Sequence, residues 1–368
     1  MAKDLLDAVY GCLIGGAIGD ALGAPVEGQY YTQIREKHGK LEEFISSHKS
    51  NTGADYGGSS GKPGVPGAVS DDTTFRHLMC LAMVRKGGRI TPDDFAEVLL
   101  EKLNPNRVWV NERIVLAKLR IGMNPWETGR GTPPAGCASM AIAPVGIVNA
   151  GDPDQAYLDA FAIASLNQDG ENRDAAATLA AGIAAAFLPE ATVESVNETM
   201  REHSTYVIKR AIELSMELVH ASRDVDQFAE KFYARMLDWT WPSRTWRPDH
   251  FFSGSSLEIV PIVMGILHLC KGDVNRCIIE GASFGRDCDT IANIAGEIAG
   301  AMQGAAAIRR QWIDQCEKAN RDFFQEVEGD PDVNFRSMAE RMVGILRSEK
   351  HRAAERARFL DRLLSTGC

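Results

Sequence analysis

Two short runs carry the chemistry of this 368-residue chain. Ser70-Asp71-Asp72-Thr73 and Gly285-Arg286-Asp287-Cys288-Asp289-Thr290 each stack carboxylates and hydroxyls within a few residues. Each runs straight into an apolar pattern with helical spacing: Phe75, Leu78, Met79 and Leu81 after the first, Ile291, Ile294, Ala295 and Ile298 after the second. Carboxylates this close repel one another, and burying them unpaired costs several kcal/mol or more. A divalent cation removes that cost, and ligands that are all oxygen select a hard ion, Mg²⁺ or Mn²⁺, over zinc. Each run alone also reads as a helix N-cap, because Ser, Asp and Thr are preferred there and carboxylates suit the positive end of the helix dipole. The two roles are compatible, and the repetition of the pattern favours a metal site built from two distant segments.

The elements that must hold these runs are helical. Apolar periodicity predicts helices over Leu5–Leu22, Thr73–Lys86, Ala156–Leu166, Asp174–Phe187, Val207–Ala221 and Ile291–Met302, with few strand-like runs. Small residues crowd several of these faces: Gly11, Gly15, Gly16, Ala17 and Gly19 on the first, Gly296, Ala299 and Gly300 on the last. They permit close helix approach, and a compact all-α fold follows. No fixed-period repeat and no linker stands out, so residues 1–368 read as a single domain with a C-terminal helical extension from about 345 to 368. Within that extension Ser348–Leu364 is a basic amphipathic helix. It is expected to pack on the domain with a solvated outer face, or to make a dimer contact.

Charge and composition exclude several classes. The formal charge is −10, from 50 acidic against 40 basic residues, which argues against a general nucleic-acid binder. No stretch reads as long and apolar enough to span a bilayer, and Met1-Ala2-Lys3-Asp4 leading into an amphipathic segment is not a secretory signal. The eight cysteines are scattered without a CxxC pair and are expected to be reduced core residues of a cytoplasmic protein. Cys137 and Cys288 lie in candidate site segments but have no local histidine, which disfavours a cysteine nucleophile. His77 is expected as a satisfied core histidine and His268 as core. Two irregular segments, 51–69 (Gly/Ser/Pro-rich) and Trp239–Phe252 (rich in Trp and Arg), read as a lid or binding loop and as a packed corner or base- and phosphate-binding surface.

Several segments, in order, resemble the ADP-ribosylglycohydrolases. Gly15-Gly16-Ala17-Ile18-Gly19-Asp20-Ala21-Leu22-Gly23-Ala24-Pro25-Val26-Glu27 is similar to the family's N-terminal signature. Ser70–Thr73 and Gly285–Thr290 resemble its two metal segments. Gly136-Cys137-Ala138-Ser139-Met140 resembles its central loop, and Leu257-Glu258-Ile259-Val260-Pro261 also fits. The resemblance implies an all-α multi-helix orthogonal bundle of the DraG/ARH type, a centre of two Mg²⁺ ions (Mn²⁺ as the substitute), and hydrolysis of a glycosidic bond at ribose C1. It implies metal ligation by Ser70, Asp71, Asp72, Asp287, Asp289 and Thr290, with Asp20 as a structural carboxylate behind them. Glu27, Asp72 and Asp289 are implied as the catalytic carboxylates. Glu27, Gly136, Cys137, Ala138, Ser139, Met140 and Arg286 are implied as substrate contacts.

The departures from the family pattern cluster. Ala138 and Ala141 stand where a glycine and an arginine are usual, Asn167-Gln168 where a Thr-His pair is usual, and Arg286 where glycine is common. The resemblance assigns the first two elements to the diphosphate and adenosine end of ADP-ribose. The expectation is therefore a Mg²⁺-dependent hydrolase of an ADP-ribosylated protein side chain or related compound. An N-glycosidase for a ribosylated small molecule or nucleoside is the alternative, and a non-catalytic nucleotide-binding or crystallin-like relative is the second alternative. General nucleic-acid and membrane binding are not expected, and the oligomeric state is open between monomer and homodimer.

Overall fold

In the computed structural model the described residues are 4–46, 65–240, 254–330 and 332–365, with side chains omitted for 236–240. Among them are seventeen α-helices and no strand, in agreement with the helical reading. The first eight are α1 (Leu5–Gly23), α2 (Tyr31–His38), α3 (Asp71–Lys86), α4 (Pro92–Lys102), α5 (Val110–Arg120), α6 (Ala143–Val148), α7 (Pro153–Ala164) and α8 (Glu171–Ala186). Then come α9 (Val193–His203), α10 (Tyr206–His220), α11 (Val225–Thr240), α12 (Ser256–Leu269) and α13 (Val274–Ala282). The last are α14 (Cys288–Gln303), α15 (Arg310–Ala319), α16 (Arg321–Glu328) and α17 (Phe335–Ser365).

The axis of the fold is α1 packed against α14, the most extensive helix pair in the molecule. A row of small residues makes this contact one of backbone against backbone. A Cβ added at Gly11 would lie 2.4 Å from the Gly300 carbonyl oxygen, at Gly15 2.5 Å from that of Gly296, and at Gly19 2.2 Å from that of Ala292. At Gly23 the added atom would lie 2.5 Å from Asp289 Cα. The helices therefore run antiparallel, and the C-terminal end of α1 meets the N-terminal end of α14. The sequence pattern thus carries the segment after α1 directly to the second acidic run.

α1 corrects one expectation. Leu5–Val26 is long and apolar enough, by length and composition, to cross a membrane. Its leucines, isoleucines, valines and alanines raise the mean hydropathy to 1.5, and 83% of that window is buried inside the protein. It carries the buried carboxylate Asp20, so here it serves as the core helix.

α3 joins this pair through buried polar contacts. The Asp20 carboxylate accepts from Ser70 N at 3.0 Å, Thr73 N at 3.2 Å and Thr73 Oγ1 at 2.5 Å. One turn further in, Arg76 donates to Glu297 Oε1 (2.7 Å), Asn293 Oδ1 (2.8 Å) and the Leu13 carbonyl (2.9 Å). A buried charge survives only with such partners, so Arg76 pins α1, α3 and α14 together at one depth. His77 is buried as expected, with Nε2 2.8 Å from Glu328. His268 is half-buried rather than core, its ring edge-on to His220, because it sits on the last turn of α12.

The C-terminal helix also departs from expectation. α17 packs through Phe335, Met338, Ala339, Met342, Val343 and Ile345, but every residue from 351 to 365 is exposed. The basic amphipathic stretch leaves the body instead of lying on it. The runs 51–64 and 241–252, read above as candidate loops, fall outside the described residues.

Candidate metal centre and active site

The two acidic runs, more than 200 positions apart in sequence, form the first turns of α3 and α14. Ser70 is the N-cap of α3, its Oγ accepting from Asp72 N at 3.3 Å, and Asp287 is the N-cap of α14. Capping and site formation thus coincide. Glu27 arrives from the short turn after α1. That turn is zipped to the second run by Gly28 N to the Arg286 carbonyl (2.8 Å) and Arg286 N to the Gln29 carbonyl (2.6 Å), around the antiparallel bridge of Tyr30 with Gly285. One carboxylate oxygen each of Glu27, Asp287 and Asp289 then lies within 4.8 Å of the others. The Thr290 hydroxyl is within hydrogen-bonding reach of both Asp72 and Asp287, so α3 and α14 face each other across the same space. Ser70, Asp71, Asp72, Asp289 and Thr290 are buried, and the cluster opens at half-buried Glu27 and Asp287.

These carboxylates sit at high electrostatic cost. Burial, followed by mutual repulsion, pushes Glu27, Asp72 and Asp289 well above the usual carboxylate range. Burial and then the charge of Glu258 raise Asp287 to about 7, and burial raises Asp71 to about 6. The charges acting on Glu27, Asp72 and Asp289 are those of one another and of Asp20, Asp71 and Asp287. Asp289 Oδ1 is buried without a hydrogen-bond partner. An orphaned carboxylate oxygen among converging carboxylates, with no nitrogen or sulfur donor in the set, fits a hard divalent cation. Among the described residues Glu27 belongs to a group of ligating side chains close enough to hold a cation, although the sequence reading placed it as a catalytic carboxylate and substrate contact and not among the ligands.

The central loop lies against this centre. Asn293, on α14, donates to the Met140 carbonyl at 2.8 Å and lies 3.5 Å from Asp72 Oδ1. Gly136 is held where a Cβ would collide with Ile259 Cδ1 at 2.2 Å. Ser139 Oγ is buried without a partner. Burial and then the charge of nearby Glu112 raise the Cys137 thiol well above the usual range, and burial does the same for Cys288; both remain thiols rather than nucleophilic thiolates. Ala138 and Ala141 are buried.

Arg286 is drawn away from the role of a free substrate contact. Its Nε donates to Glu258 Oε1 at 2.5 Å, its NH2 group to Oε2 at 3.1 Å, and its guanidinium lies 5.4 Å from the Tyr233 ring centre. Its φ is +59°, a left-handed conformation in which a side chain costs roughly 1–2 kcal/mol. The buried two-point ion pair offsets that cost and braces the turn that carries Glu27.

Residues that sequence reasoning missed lie on the first turn of α5. Asn111 and Glu112 are fully buried; Asn111 Nδ2 donates to Asn167 Oδ1 at 2.5 Å, and Asn167 Nδ2 lies 3.4 Å from Glu112 Oε1. Burial and then the charge of Asp71 raise Glu112 to about 7. Glu112 Oε2 and both amide atoms of Gln168 are buried without partners. No spacing in the sequence marks Asn111-Glu112, since only tertiary contact brings them to Asp71 and Cys137.

A helical body built on a glycine-faced helix pair, with carboxylates from two helix starts converging beside a Ser-Met loop, defines a class of glycohydrolase. The sequence profile of the ADP-ribosylglycohydrolase family matches residues 1–350, and the chain belongs to that family. Among its relatives is the uncharacterized protein YegU of Escherichia coli K12, 24% identical over 343 residues, spanning 88% of this chain and 94% of YegU. An uncharacterized protein of Archaeoglobus fulgidus is 26% identical over 323 residues, covering 86% and 93% of the two chains. A solved structure described as an ADP-ribosylglycohydrolase-related protein complex superposes with a TM-score of 0.60 over 94% of this chain and 99% of that one, at 19% identity, a likeness of fold.

Proposed function

We propose that this protein is a Mg²⁺-dependent hydrolase that cleaves the glycosidic bond at ribose C1 of an ADP-ribosylated side chain or a related ADP-ribosyl compound. The carrying observation is the convergence of Glu27, Asp287 and Asp289 with Asp72 and Thr290 around the unpartnered Asp289 Oδ1. In this reading Ser70, Asp71, Asp72, Asp287, Asp289 and Thr290 hold two ions, with Mn²⁺ able to replace Mg²⁺. When bound, such ions supply anchoring for ribose hydroxyls and acidify a water.

The chain's own residues do the rest. Cleavage develops positive charge on C1 and the ring oxygen, and Glu27, Asp72 and Asp289 surround that position with negative charge. Glu27, half-buried at the opening, orients the attacking water and takes its proton. Asn293 sets the central loop, with Gly136, Cys137, Ala138, Ser139 and Met140 lining the substrate. Arg286 positions the Glu27 turn through Glu258. The whole chain serves as one catalytic unit with a C-terminal extension, in a reducing cytoplasmic setting consistent with its buried free cysteines.

A second reading, an N-glycosidase for a ribosylated small molecule or nucleoside, is favoured by the distal residues. No arginine stands at Ala141, and the Arg286 guanidinium is committed to Glu258. Mass spectrometry of products from ADP-ribosyl-arginine, ADP-ribosyl-serine and simple nucleosides, with and without Mg²⁺, separates the two. Cleavage of none of these in the presence of Mg²⁺ would overturn both.

A further inference from the structure

The part of α17 beyond residue 350 lies outside the family match, and past Arg352, whose guanidinium still packs against Gly88, it is an exposed arm. Its fifteen residues to Ser365 extend for about 22 Å of helix. Most helix stability in proteins comes from packing an apolar face and the arm's turns are exposed, so a partner face is expected to support it. The arm is patterned for one. The stripe that packs on the body through Ala339, Met342, Val343 and half-buried Leu346 is broken by Glu349 and Lys350 and resumes one heptad after Leu346, at three- and four-residue spacing, through Ala353, Ala357, Leu360 and Leu364. Leu360 is 45% and Leu364 75% exposed.

We propose that this stripe docks on the same stripe of a second copy of the chain, forming an antiparallel two-fold helix pair. Direction follows from geometry. The stripe faces the body along its first half, so a helix laid on its second half and running parallel would enter that body; only an antiparallel partner passes clear. In the antiparallel register centred between residues 358 and 359, Ala353 lies opposite Leu364 of the second copy and Ala357 opposite its Leu360, small against large at every layer. Charge agrees: in the same register Glu355 stands opposite Arg362 of the second copy and Arg356 opposite its Asp361, so opposite charges flank the apolar layers.

Sedimentation velocity of the full chain over a range of concentrations tests this. A monomer–dimer equilibrium is expected, weakened at least about tenfold by Leu360→Glu or Leu364→Glu, with the melting temperature of the body unchanged because both residues are exposed and lie beyond the buried half of α17. The register adds a sharper arm. Ala357→Leu and Leu360→Ala should each weaken the dimer, and the double variant should restore it, since the two positions face each other across the pair. A chain monomeric at all concentrations, a dimer indifferent to Leu360→Glu, or a dimer tightened by Ala357→Leu alone would overturn the proposal. So would a monomer that co-sediments with vesicles of acidic phospholipid, which would assign the arm to a lipid surface.

Discussion

Replacing Gly23 with alanine tests how the backbone places the metal centre. The new Cβ would lie 2.5 Å from Asp289 Cα, 2.6 Å from Asp289 N and 2.8 Å from the Cys288 carbonyl carbon. These are backbone atoms of the first turn of α14, which no rotamer change can move. Reaching even the 3.4 Å of ordinary contact requires a shift of about 0.9 Å. Overpacking of this kind costs roughly 1–3 kcal/mol, less about 1 kcal/mol regained from alanine's better helix propensity. The net loss of about 0–2 kcal/mol should lower the melting temperature by only a few degrees in a chain of this size. The effect on the site should be far larger, because Mg²⁺ demands near-ideal oxygen positions and a displacement of about 1 Å can cost about 100-fold in rate. Gly11→Ala is the control. Its Cβ meets the Gly300 carbonyl at 2.4 Å, at the far end of the same helix pair. Calorimetric titration with Mg²⁺, which needs no knowledge of the substrate, should show binding weakened in Gly23→Ala and kept in Gly11→Ala at a similar loss of melting temperature. Equal Mg²⁺ affinity in the two variants would refute the reasoning that the glycine row sets the ligand geometry.

Asp72→Asn and Asp289→Asn should each abolish most Mg²⁺ binding and activity, yet raise the melting temperature of the metal-free protein, since each removes one of several buried like charges; a lowered melting temperature would contradict the repulsion argument. Glu27→Gln should reduce turnover more than it reduces Mg²⁺ affinity, and unchanged turnover would remove Glu27 from the chemistry. Acid stability should report Glu328. Burial opposes its charge, but hydrogen bonds and charge from His77 and Arg341 outweigh that and hold it at about 2. A carboxylate depressed from its ordinary value of 4.5 stabilises fully above that pH and loses its contribution as pH falls from 4.5 toward 2. Glu328→Gln should therefore flatten the fall in melting temperature over that window, and an unaltered slope would show that the pairing carries no such linkage.

The helices were legible because their apolar spacing is strong and their ends are marked. Ser70 and Asp287 cap the helices that the acidic runs were expected to open, and the small residues of α1 meet those of α14. The acidic runs could be matched without structure because both lie at helix starts, where capping preference and carboxylate placement coincide. What the chain could not disclose is which faces meet. Asn111 and Glu112 look like an ordinary polar first turn until α5 is set against Asp71. Arg286 looks like a free cation beside a substrate site until Glu258, 28 positions earlier, is brought under it by α12. α1 shows the opposite failure: its hydropathy matches a membrane span, and only burial by α14 and its neighbours distinguishes a core helix built from glycine and alanine.

The same glycine row explains how a protein keeps so unfavourable a site folded. Converging carboxylates repel, and a compliant scaffold would relieve that by letting the helix starts drift apart. Here the carbonyls of Gly296 and Gly300 sit where a Cβ on α1 would be, so α1 and α14 are in backbone contact along their length. Asp20 fixes the α3 end by accepting from the backbone of Ser70 and Thr73, and Arg76 locks all three helices one turn deeper. The strain of like charge is thus concentrated at one end of a stiff three-helix unit, where a cation can relieve it, and it is resisted by contacts that the cation does not touch. This separation predicts the differing outcomes above: changes to the carboxylates alter ion binding while relaxing the metal-free fold, whereas a change at the Gly23 end of the glycine row moves the carboxylates without changing their charge.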